Sequence, residues 1–353
     1  MSTDRGEEMS RTRDEETARG DDQVAAVALK QYGFSDQLQF RMINLSENAT
    51  YLVDDPGTGR NGILRVHRED YHPLQSIHSE LDWLTALREQ SEVSTPVVIP
   101  APDGSRVVTA TVNGVQRYAV LFEVVSGLEP DEIALDLGSF TTLGRLTALI
   151  HQHSQRWTRP DGFTRFSWDW EHSLGDKQRW GRWQDGIGVG AAETPILGSA
   201  ADLVRLRLAE YGDAADRFGL VHADLRLANL LIDGDQVNVI DFDDCGFSWY
   251  LYDFGTAVSF IEDDPRLPQW QAAWLHGYRS IAPLSVEDEN MLATFVMLRR
   301  LLLLAWMGSH SHSRECQVKG PGYTAASCVL AERYVASGGK SLSRAVPASG
   351  SPQ

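Results

Sequence analysis

Short β-prone runs dominate residues 38–125 of the chain. LQFRMI, NATYLV and GILRV have the length and residue types of strands. Asn113-Gly114 separates SRVVTATV from QRYAVLFEVV, and this pair supplies the positive φ that a tight hairpin turn requires. One helix is expected within the same region, because apolar residues recur there at spacings of three and four. These residues are Ile77, Leu81, Leu84 and Leu87. The pattern predicts a small sheet with one embedded helix.

From about residue 131 the pattern becomes helical. LGSFTTLGRLTALIHQHS repeats Leu and Ile at helical spacing. Further helices are expected over residues 199–217, 288–307 and 320–336. Between them, LLIDGDQVNVIDF predicts a strand, an Asp-Gly turn and a second strand. We therefore expect an α+β chain with a β-rich N-lobe over 23–126 and a helical C-lobe over 127–335, joined near Gly127.

The two ends of the chain and one apolar run complete this outline. Residues 1–22 are rich in acids and arginines and contain no apolar core, so they predict a disordered tail and not a secretion signal. Residues 336–353 are small and polar and are also expected to be unstructured. The apolar run 291–306 contains Arg299 and Arg300. Two adjacent arginines are costly in lipid, so the run predicts a buried helix of a soluble protein.

Charge and cysteine content narrow the class of protein. The chain has 353 residues, 42% of them hydrophobic, and a formal net charge of −17. That length suits a bilobal globular protein, and the negative field disfavours nucleic acid and anionic membrane surfaces as partners. An anionic ligand would need a local cationic pocket or a metal ion. The three cysteines are widely spaced and form neither a disulfide framework nor a zinc pattern, so the cytoplasm is the expected location.

Residues 220–244 carry the chemistry. His222-x-Asp224 is followed five residues later by Asn229, and Asp241-Phe242-Asp243 begins twelve residues after that. Phosphoryl transfer requires a carboxylate that accepts or orients the hydroxyl proton, and oxygen ligands that hold Mg²⁺ on the nucleotide phosphates. Asp224 fits the first role, and Asn229 and Asp241 fit the second. Any one of these acids alone could be an ordinary turn residue, but the ordered set follows the kinase signature.

These residues carry a family resemblance. The run HADLRLANLLIDGDQVNVIDFDDCGFSWYLYDFGTAVSF resembles the aminoglycoside phosphotransferase family. This kinase-like group includes antibiotic kinases, choline and homoserine kinases, and bacterial stress-response kinases. Ala223 stands where protein kinases usually carry Arg. The similarity extends more weakly over about residues 30–335.

The resemblance implies a bilobal protein-kinase-like α+β fold that uses ATP and Mg²⁺. It makes Asp224 the catalytic base, and Asn229 and Asp241 the metal ligands. It gives Asp253 a structural role, in which its side chain braces the catalytic loop. The family acts on many acceptors, so the resemblance implies a reaction and leaves the acceptor open.

A phosphate-binding cation is expected from the small domain. Kinases place a cation on the α- and β-phosphates and hold it with a helix carboxylate. Arg65 in GILRV and Glu80 in IHSELDWL have the positions for these roles. Arg replaces the usual protein-kinase Lys but keeps the charge, and its fork suits phosphate. The alternative is that Arg65 is a solvated strand residue and Glu80 a surface acid.

A glycine-rich segment resembles a phosphate-binding loop, but its position in the chain does not suit that role. Gly57, Gly59 and Gly62 form G-x-G-x-x-G, but a strand and not a helix follows, which excludes the dinucleotide-binding interpretation. In a kinase the phosphate loop joins the first two strands, so the backbone around Ser46 is the expected cover for the phosphates. The glycine run is then an ordinary hairpin between the second and third strands.

The adenine-binding linker is expected in YAVLFEVVSG. Backbone groups of Glu123 and Val125 are the positions assigned to adenine. Phe122 is expected to be a core aromatic residue. His151 is expected to pack or form hydrogen bonds between helices, and Cys245 to be a small buried residue and not a nucleophile.

Residues 157–190 contain several tryptophans, among them those at positions 168, 170, 180 and 183. They could line an acceptor pocket, since aromatic walls hold small ligands. Packing of the helical lobe is an equal alternative.

We interpret the sequence as an ATP-dependent kinase that phosphorylates a hydroxyl of a small molecule, such as an amino alcohol or an aminoglycoside-like compound. A small molecule is preferred because only a dozen residues separate Asp241 from Asp253, which leaves no recognisable activation segment. The alternatives are a Ser/Thr protein kinase of the stress-response type and a nucleotide-binding pseudokinase. If Asp243, Asp244 and residues 262–264 are uncompensated, they form an acidic rim that attracts a cationic acceptor.

Overall fold

The computed structural model describes residues 20–45, 48–130, 135–310 and 314–343. The N-terminal part of the fold begins with helix α1, residues 20–29. The elements that follow are β1 (Gln39–Leu45), β2 (Ala49–Asp55), β3 (Arg60–Val66), α2 (Leu74–Gln90), β4 (Val98–Ile99), β5 (Val108–Val112) and β6 (Val115–Phe122). The strands form one antiparallel sheet in the order β1-β2-β3-β6-β4, and β5 pairs with β6.

The two faces of this sheet are buried against different partners. Successive strand residues point to opposite faces. Tyr51 and Leu64 lie in one apolar cluster with Val24 and Leu29 of α1. On the other face, Val120 lies in the large core that α2 shares with the C-terminal part of the chain. Where the sheet is covered on both sides, consecutive residues are buried, as at the ends of β3 and β6, whereas the edge strand β1 has no buried residue.

The larger part of the fold is helical. Its elements are α3 (Leu137–Arg156), α4 (Trp170–Ser173), α5 (Glu193–Tyr211), β7 (Phe218–Val221), β8 (Leu230–Asp233), β9 (Gln236–Val239), β10 (Gly246–Trp249), α6 (Tyr252–Ala257), α7 (Leu267–Arg279), α8 (Val286–Ser309) and α9 (Arg314–Ala336). Strands β7 and β10 pair antiparallel, and β8 and β9 form a hairpin. Helix α9 is kinked at Gly320, where φ is 47° and Pro321 follows. The small sheets lie where the catalytic segment was expected.

Helix α8 is the apolar centre of this lobe. A capping box, formed between Ser285 and Asp288, begins the helix and satisfies backbone donors that the first turn leaves open. Among the described residues α8 is the one helix long and apolar enough to cross a membrane, but 89% of that window is buried inside the protein. Arg299 and Arg300 are buried with it, at 3% and 0% exposure. Buried charges need partners. The partners of Arg299 include a residue of the candidate site.

Two glycines bring α3 and α7 into contact. A Cβ on Gly144 would overlap the backbone carbonyl of Trp274, and a Cβ on Gly277 would overlap that of Thr141. Since each glycine faces the backbone of the other helix, the two helices approach more closely than side chains would allow. This packing fixes α3, whose His151 supports the catalytic loop.

The α+β bilobal architecture expected from the sequence is confirmed, with a sheet lobe followed by a helical lobe. The Asn113-Gly114 turn joins β5 to β6, with φ of 52° and 81°. Each expected tail overlaps residues that the structure describes as ordered. Residues 20–22 of the expected N-terminal tail belong to α1, and Leu342 of the expected C-terminal tail is buried. The remaining domain boundaries stay predictions.

Candidate active site

The loop after β7 carries Asp224 in a strained and well-braced backbone. Ala223 has a φ of 67°, in the left-handed region that residues with a Cβ rarely adopt. Asp253 holds this turn: its Oδ1 accepts the Ala223 N–H at 2.8 Å and its Oδ2 accepts the His222 N–H at 3.2 Å. The same carboxylate lies 3.0 Å from Nε2 of His151. These contacts confirm that Asp253 braces the loop, and that His151 forms hydrogen bonds between elements.

Both oxygens of the Asp224 carboxylate are held by neighbouring side chains. Asn229 Nδ2 donates to the Asp224 backbone carbonyl at 2.7 Å and to Oδ2 at 2.9 Å. Arg299 Nη2 donates to Oδ1 at 2.7 Å, and Arg226 Nε lies 3.5 Å from Oδ2. The Asp224 side chain is 17% exposed, so it is oriented by protein but remains in contact with solvent.

The β8–β9 hairpin places Asn229 and Asp241 at the same end. Asn229 directly precedes β8, Ile240 directly follows β9, and the Ile240 N–H donates to the Asn229 carbonyl at 2.9 Å. Asp241 comes next, with a φ of 61°. Two oxygen-bearing side chains separated by twelve residues of sequence therefore emerge side by side, as the hairpin interpretation required.

The electrostatics around Asp241 fit a divalent cation. The Asp241 side chain is exposed to solvent. The surrounding protein nevertheless desolvates it and, together with the negative charge of Asp243, raises the pKa of Asp241 to about 7. A bound cation would offset that unfavourable charge, and carboxylate and amide oxygens are the ligands that Mg²⁺ prefers. Asn229 and Asp241 therefore have the chemistry of a magnesium site.

Asp243 is buried beside one arginine and two histidines of the N-lobe. Its carboxylate lies 3.8 Å from Arg65 Nη1, 3.4 Å from His67 Nδ1 and 3.2 Å from His72 Nε2. Although burial opposes its charge, His72 and Arg65 hold the pKa of Asp243 well below its ordinary value. Nothing in the sequence pattern indicated the two histidines, which lie in the segment between β3 and α2. They connect the metal loop to the small sheet.

Arg65 and Glu80 form a buried ion pair. Arg65 Nη2 lies 2.5 Å from Glu80 Oε1, and the residues are 7% and 0% exposed. Although burial opposes its charge, Glu80 and then Asp243 raise the pKa of Arg65 above its ordinary value. The alternative, in which Arg65 is a solvated strand residue and Glu80 a surface acid, is therefore excluded. The role of Arg65 toward phosphate stays a prediction.

The expected nucleotide-binding backbone is only partly within the described residues. Ser46 lies outside them. Glu123 follows β6, and its N–H donates to the Val97 carbonyl at 2.8 Å, so only its carbonyl oxygen remains for adenine. Val125 lies half-buried two residues further on. Gly57 and Gly59 lie in the β2–β3 turn, which confirms that the glycine pattern belongs to an ordinary hairpin.

The tryptophan insert packs against the catalytic region. Trp168 and Trp180 are 0% and 5% exposed, and their rings contact each other at 4.9 Å. Trp180 lies 5.2 Å from the Arg299 guanidinium, and its indole N–H donates to Tyr71 Oη at 3.3 Å. Tyr71 donates in turn to Asp244 Oδ1 at 2.9 Å. The insert therefore contributes both to the core and to one wall beside the catalytic loop.

The expectation of a broadly uncompensated acidic rim is wrong. Asp243 is compensated from the N-lobe, as described above. Glu262 is buried and bonded to Arg300, Asp263 lies 3.4 Å from the same arginine, and Asp264 pairs with Arg266 at 2.9 Å. Two of the compensating cations, Arg65 and Arg300, are distant in sequence from the acids with which they pair, so a count of neighbouring acids could not reveal them.

Cys245 has no features of a nucleophile. It is fully buried, and burial raises the pKa of its thiol to about 12. At neutral pH the thiolate, which is the reactive form, is therefore suppressed. This outcome agrees with the interpretation of Cys245 as a small buried residue.

The structure combines a sheet lobe with a buried Arg–Glu pair, a braced loop that carries Asp224, and a second loop that carries the candidate metal ligand Asp241. These are the features of a kinase-like phosphotransferase. Comparison with known families agrees: residues 43–287 match the model of the phosphotransferase enzyme family. The chain belongs to this family, as the resemblance of residues 220–260 implied. It is an ATP-dependent phosphotransferase with a small-molecule acceptor.

Three relatives show how far the similarity extends. A solved structure described as the microcompartment-associated aminopropanol kinase is 61% identical, with a TM-score of 0.85 over 91% of this chain and 99% of that chain. Amicoumacin kinase of Bacillus subtilis (strain 168) is 26% identical over 296 residues, covering 80% of this chain and 83% of its own. The structure of amicoumacin kinase hAmiN with AMP-PNP, Ca²⁺ and Ami is 20% identical, with a TM-score of 0.72 over 89% and 95% of the two chains. The last comparison supports the fold alone.

Proposed function

We propose that this enzyme transfers the γ-phosphate of ATP to the hydroxyl of a short amino alcohol of the aminopropanol type. One observation carries the choice of acceptor, namely the 61% identity to an aminopropanol kinase across nearly the whole chain. The site is compatible with this choice, because the carboxylates of Asp224 and the half-buried Asp244 both act on the same buried arginine, Arg299. The enzyme is proposed to act in the cytoplasm; all three cysteines lie within the described residues and none forms a disulfide.

Asp224 is the proposed catalytic base. Its carboxylate accepts the proton of the acceptor hydroxyl as the oxygen attacks the γ-phosphorus and ADP leaves. Asn229 supports this role in two ways, since its amide nitrogen holds Asp224 while its amide oxygen is a metal-ligand atom. Asn229 and Asp241 would hold Mg²⁺, which supplies neutralisation of phosphate charge when bound.

The N-lobe is proposed to bind the rest of the nucleotide. Arg65, held by Glu80, contributes a fixed positive charge for the phosphates. The backbone around Ser46 covers them. The carbonyl of Glu123 and the backbone of Val125 are proposed to meet adenine.

Asp244 is the proposed partner of the acceptor ammonium. It follows the metal loop, is half-buried, and is oriented by Tyr71 against the wall that contains Trp180. Burial alone would lower the pKa of Arg299. Tyr252, Asp224 and Asp244 nevertheless raise it above its ordinary value. Two carboxylates near one buried arginine suit a short molecule with a hydroxyl at one end and an ammonium at the other.

The protein-kinase alternative is not favoured by the geometry. The stretch between Asp241 and Asp253 contains β10, which pairs with β7, and so leads directly into α6. These residues belong to the packed lobe and do not form an extended docking surface for a peptide. The pseudokinase alternative is opposed because the carboxylate proposed as base and both proposed metal ligands are present, namely Asp224, Asn229 and Asp241.

The acceptor can be tested by measuring ADP release with a panel of compounds under identical Mg·ATP conditions. The panel contains 1-amino-2-propanol, ethanolamine, homoserine, 1,2-propanediol and a generic protein substrate. We expect the highest kcat/KM for 1-amino-2-propanol, and a much lower value for the neutral diol that lacks the ammonium. A preference for the diol or for the protein would contradict the proposal.

A further inference from the structure

We propose that Arg165 is a positioning residue that holds helix α2 and the loop between β9 and β10 in one fixed relation. Helix α2 carries Glu80, the partner of Arg65, and the β9–β10 loop carries Asp241. A kinase site needs the cation–carboxylate pair and the metal-ligand aspartate in place together. This inference rests on the proposed function, because it takes Arg65 and Asp241 as groups that bind Mg·ATP.

The guanidinium of Arg165 bonds to both elements at once. The residue is 7% exposed. On the loop, Nε donates to the Cys245 carbonyl at 2.6 Å, and Nη2 donates to the Asp243 carbonyl. On the helix, Nη1 donates to the carbonyl and to the Oγ of Ser76, at 3.0 and 3.1 Å. Because the guanidinium is planar and each of its nitrogens has a partner, it fixes the distance between the helix and the loop.

Ser76 connects this contact to the carboxylate of the buried ion pair. It lies in the first turn of α2, four residues before Glu80, so the two side chains share one face of the helix. A shift of this turn away from Arg165 would carry Glu80 with it. The contact at Ser76 therefore helps to keep Glu80 within reach of Arg65.

Asp243 is the residue at which the two lobes meet. Its carbonyl accepts a hydrogen bond from Arg165 of the C-lobe, and its carboxylate lies 3.8 Å from Arg65 Nη1 of the N-lobe. Asp241 lies two residues earlier in the same loop, with a φ of 61°. Because the loop backbone is held at Asp243 and Cys245, the side chain of Asp241 keeps its direction relative to Arg65.

The segment that carries Arg165 is itself anchored in the fold. The Phe247 N–H donates to the Phe166 carbonyl at 2.9 Å, which joins the segment to β10. The Thr164 N–H donates to Ser79 Oγ of α2 at 2.9 Å. Arg165 therefore extends from a fixed backbone, and its side chain transmits that position to both of its partners.

Arg207 offers a matched control elsewhere in the helical lobe. Its Nε donates to Thr294 Oγ1 at 2.8 Å, Nη1 to the Gly338 carbonyl at 3.0 Å, and Nη2 to the Asn290 carbonyl at 2.7 Å. It joins α5 to α8 and to the segment after α9. Both arginines bind backbone carbonyls and a hydroxyl, so replacing either one leaves the same kinds of group without a donor.

The experiment compares Arg165→Met, Arg165→Lys and Arg207→Met by calorimetric titration with Mg·ATP and with adenosine, which has neither phosphate nor metal. For Arg165→Met we expect the Mg·ATP affinity to fall about 10- to 100-fold, the scale for residues that orient metal ligands from outside. The adenosine affinity should stay unchanged. Arg165→Lys keeps the charge and some of the donors, so it should recover part of the loss. Arg207→Met should lower thermal stability and keep both affinities.

A double-mutant cycle with Glu80→Gln tests the coupling between the two elements. In wild type, this change removes the charge that holds Arg65. In Arg165→Met, the helix is no longer held in place, so the same change should cost about fivefold less Mg·ATP affinity. Equal costs of Glu80→Gln in both backgrounds would overturn the inference.

The outcomes separate this inference from the proposed function. If Asp241→Ala weakens Mg·ATP binding but Arg165→Met does not, the inference alone is overturned. Equal losses of Mg·ATP and adenosine affinity in Arg165→Met, or the same selective loss in Arg207→Met, would also overturn it, because they would show a purely structural role. If Arg165→Met does not fold, Arg165→Lys decides: a loss of Mg·ATP affinity with unchanged adenosine affinity supports the inference, and wild-type Mg·ATP affinity overturns it. Unchanged Mg·ATP affinity in both Asp241→Ala and Arg165→Met would overturn the proposed metal site and this inference together.

Discussion

Asp253→Asn is expected to loosen the catalytic loop while the fold persists. The Asp253 carboxylate is fully buried and receives the N–H groups of His222 and Ala223, and it contacts His151. An amide of the same shape keeps one acceptor oxygen and turns an NH₂ group toward the other donors. At least one buried backbone donor then loses its partner, which costs about 1–3 kcal/mol.

The strained turn does not enlarge this effect. Ala223 has a φ of 67° and its N–H donates to Asp253; such a conformation costs on the order of 1–3 kcal/mol, but the wild-type fold already carries that cost. We therefore expect the free energy of unfolding to fall by about 1–3 kcal/mol, the cost of the lost hydrogen bond. Since 1 kcal/mol moves the midpoint of a large domain by about 2–4 °C, the Tm should drop by roughly 2–12 °C. The kcat should fall as well, because Asp224 follows Ala223 directly.

Urea unfolding and steady-state kinetics measure the two effects on the same samples. Asp213→Asn is a suitable control, because it removes one carboxylate charge from an exposed position, and its stability should stay within about 0.5 kcal/mol of wild type. An Asp253→Asn enzyme with wild-type stability and wild-type kcat would refute the argument that this carboxylate holds the loop.

Three further predictions concern the chemistry of the site. Asp224→Asn should leave the fold and nucleotide binding intact but lower kcat by about 100-fold or more, and steady-state turnover with calorimetric ATP titration checks both. Asp241→Ala should weaken Mg²⁺-dependent nucleotide binding sharply, and Asn229→Ala should weaken it less because a neutral ligand is lost; unchanged Mg·ATP affinity in both would contradict the metal assignment. Asp244→Asn should raise the KM of the amino alcohol about fivefold and leave the ATP KM unchanged. The wild-type acceptor KM should rise with ionic strength, and an acceptor KM that ignores salt would contradict a role of charge.

The parts of the site that the sequence could predict lie close together along the chain. Asp224, Asn229 and Asp241 fall within one hairpin and its flanks, so their spacing and the local strand pattern were enough to bring them together. The Arg65–Glu80 contact could also be predicted, because kinases place the cation on a strand and its carboxylate partner on the helix that follows. The roles of these residues stay predictions.

The contacts that could not be predicted come from distant parts of the chain. Arg299 reaches Asp224 across 75 positions of sequence, and His67 and His72 reach Asp243 from the other lobe. Local periodicity contains no information on such contacts, and for this reason the acidic rim was overestimated. One signal was present: two arginines within an apolar helix require buried partners.

The central claim is transfer of phosphate from ATP to the oxygen of an amino alcohol, and product identification tests it most directly. Wild-type enzyme is incubated with Mg·ATP and 1-amino-2-propanol, and the products are followed by phosphorus NMR with proton–phosphorus correlation. The account predicts one O-phosphorylated amino alcohol for each ADP formed, with the phosphate coupled to the carbinol proton. ADP release without a phosphorylated acceptor, or phosphate found on nitrogen, would contradict it.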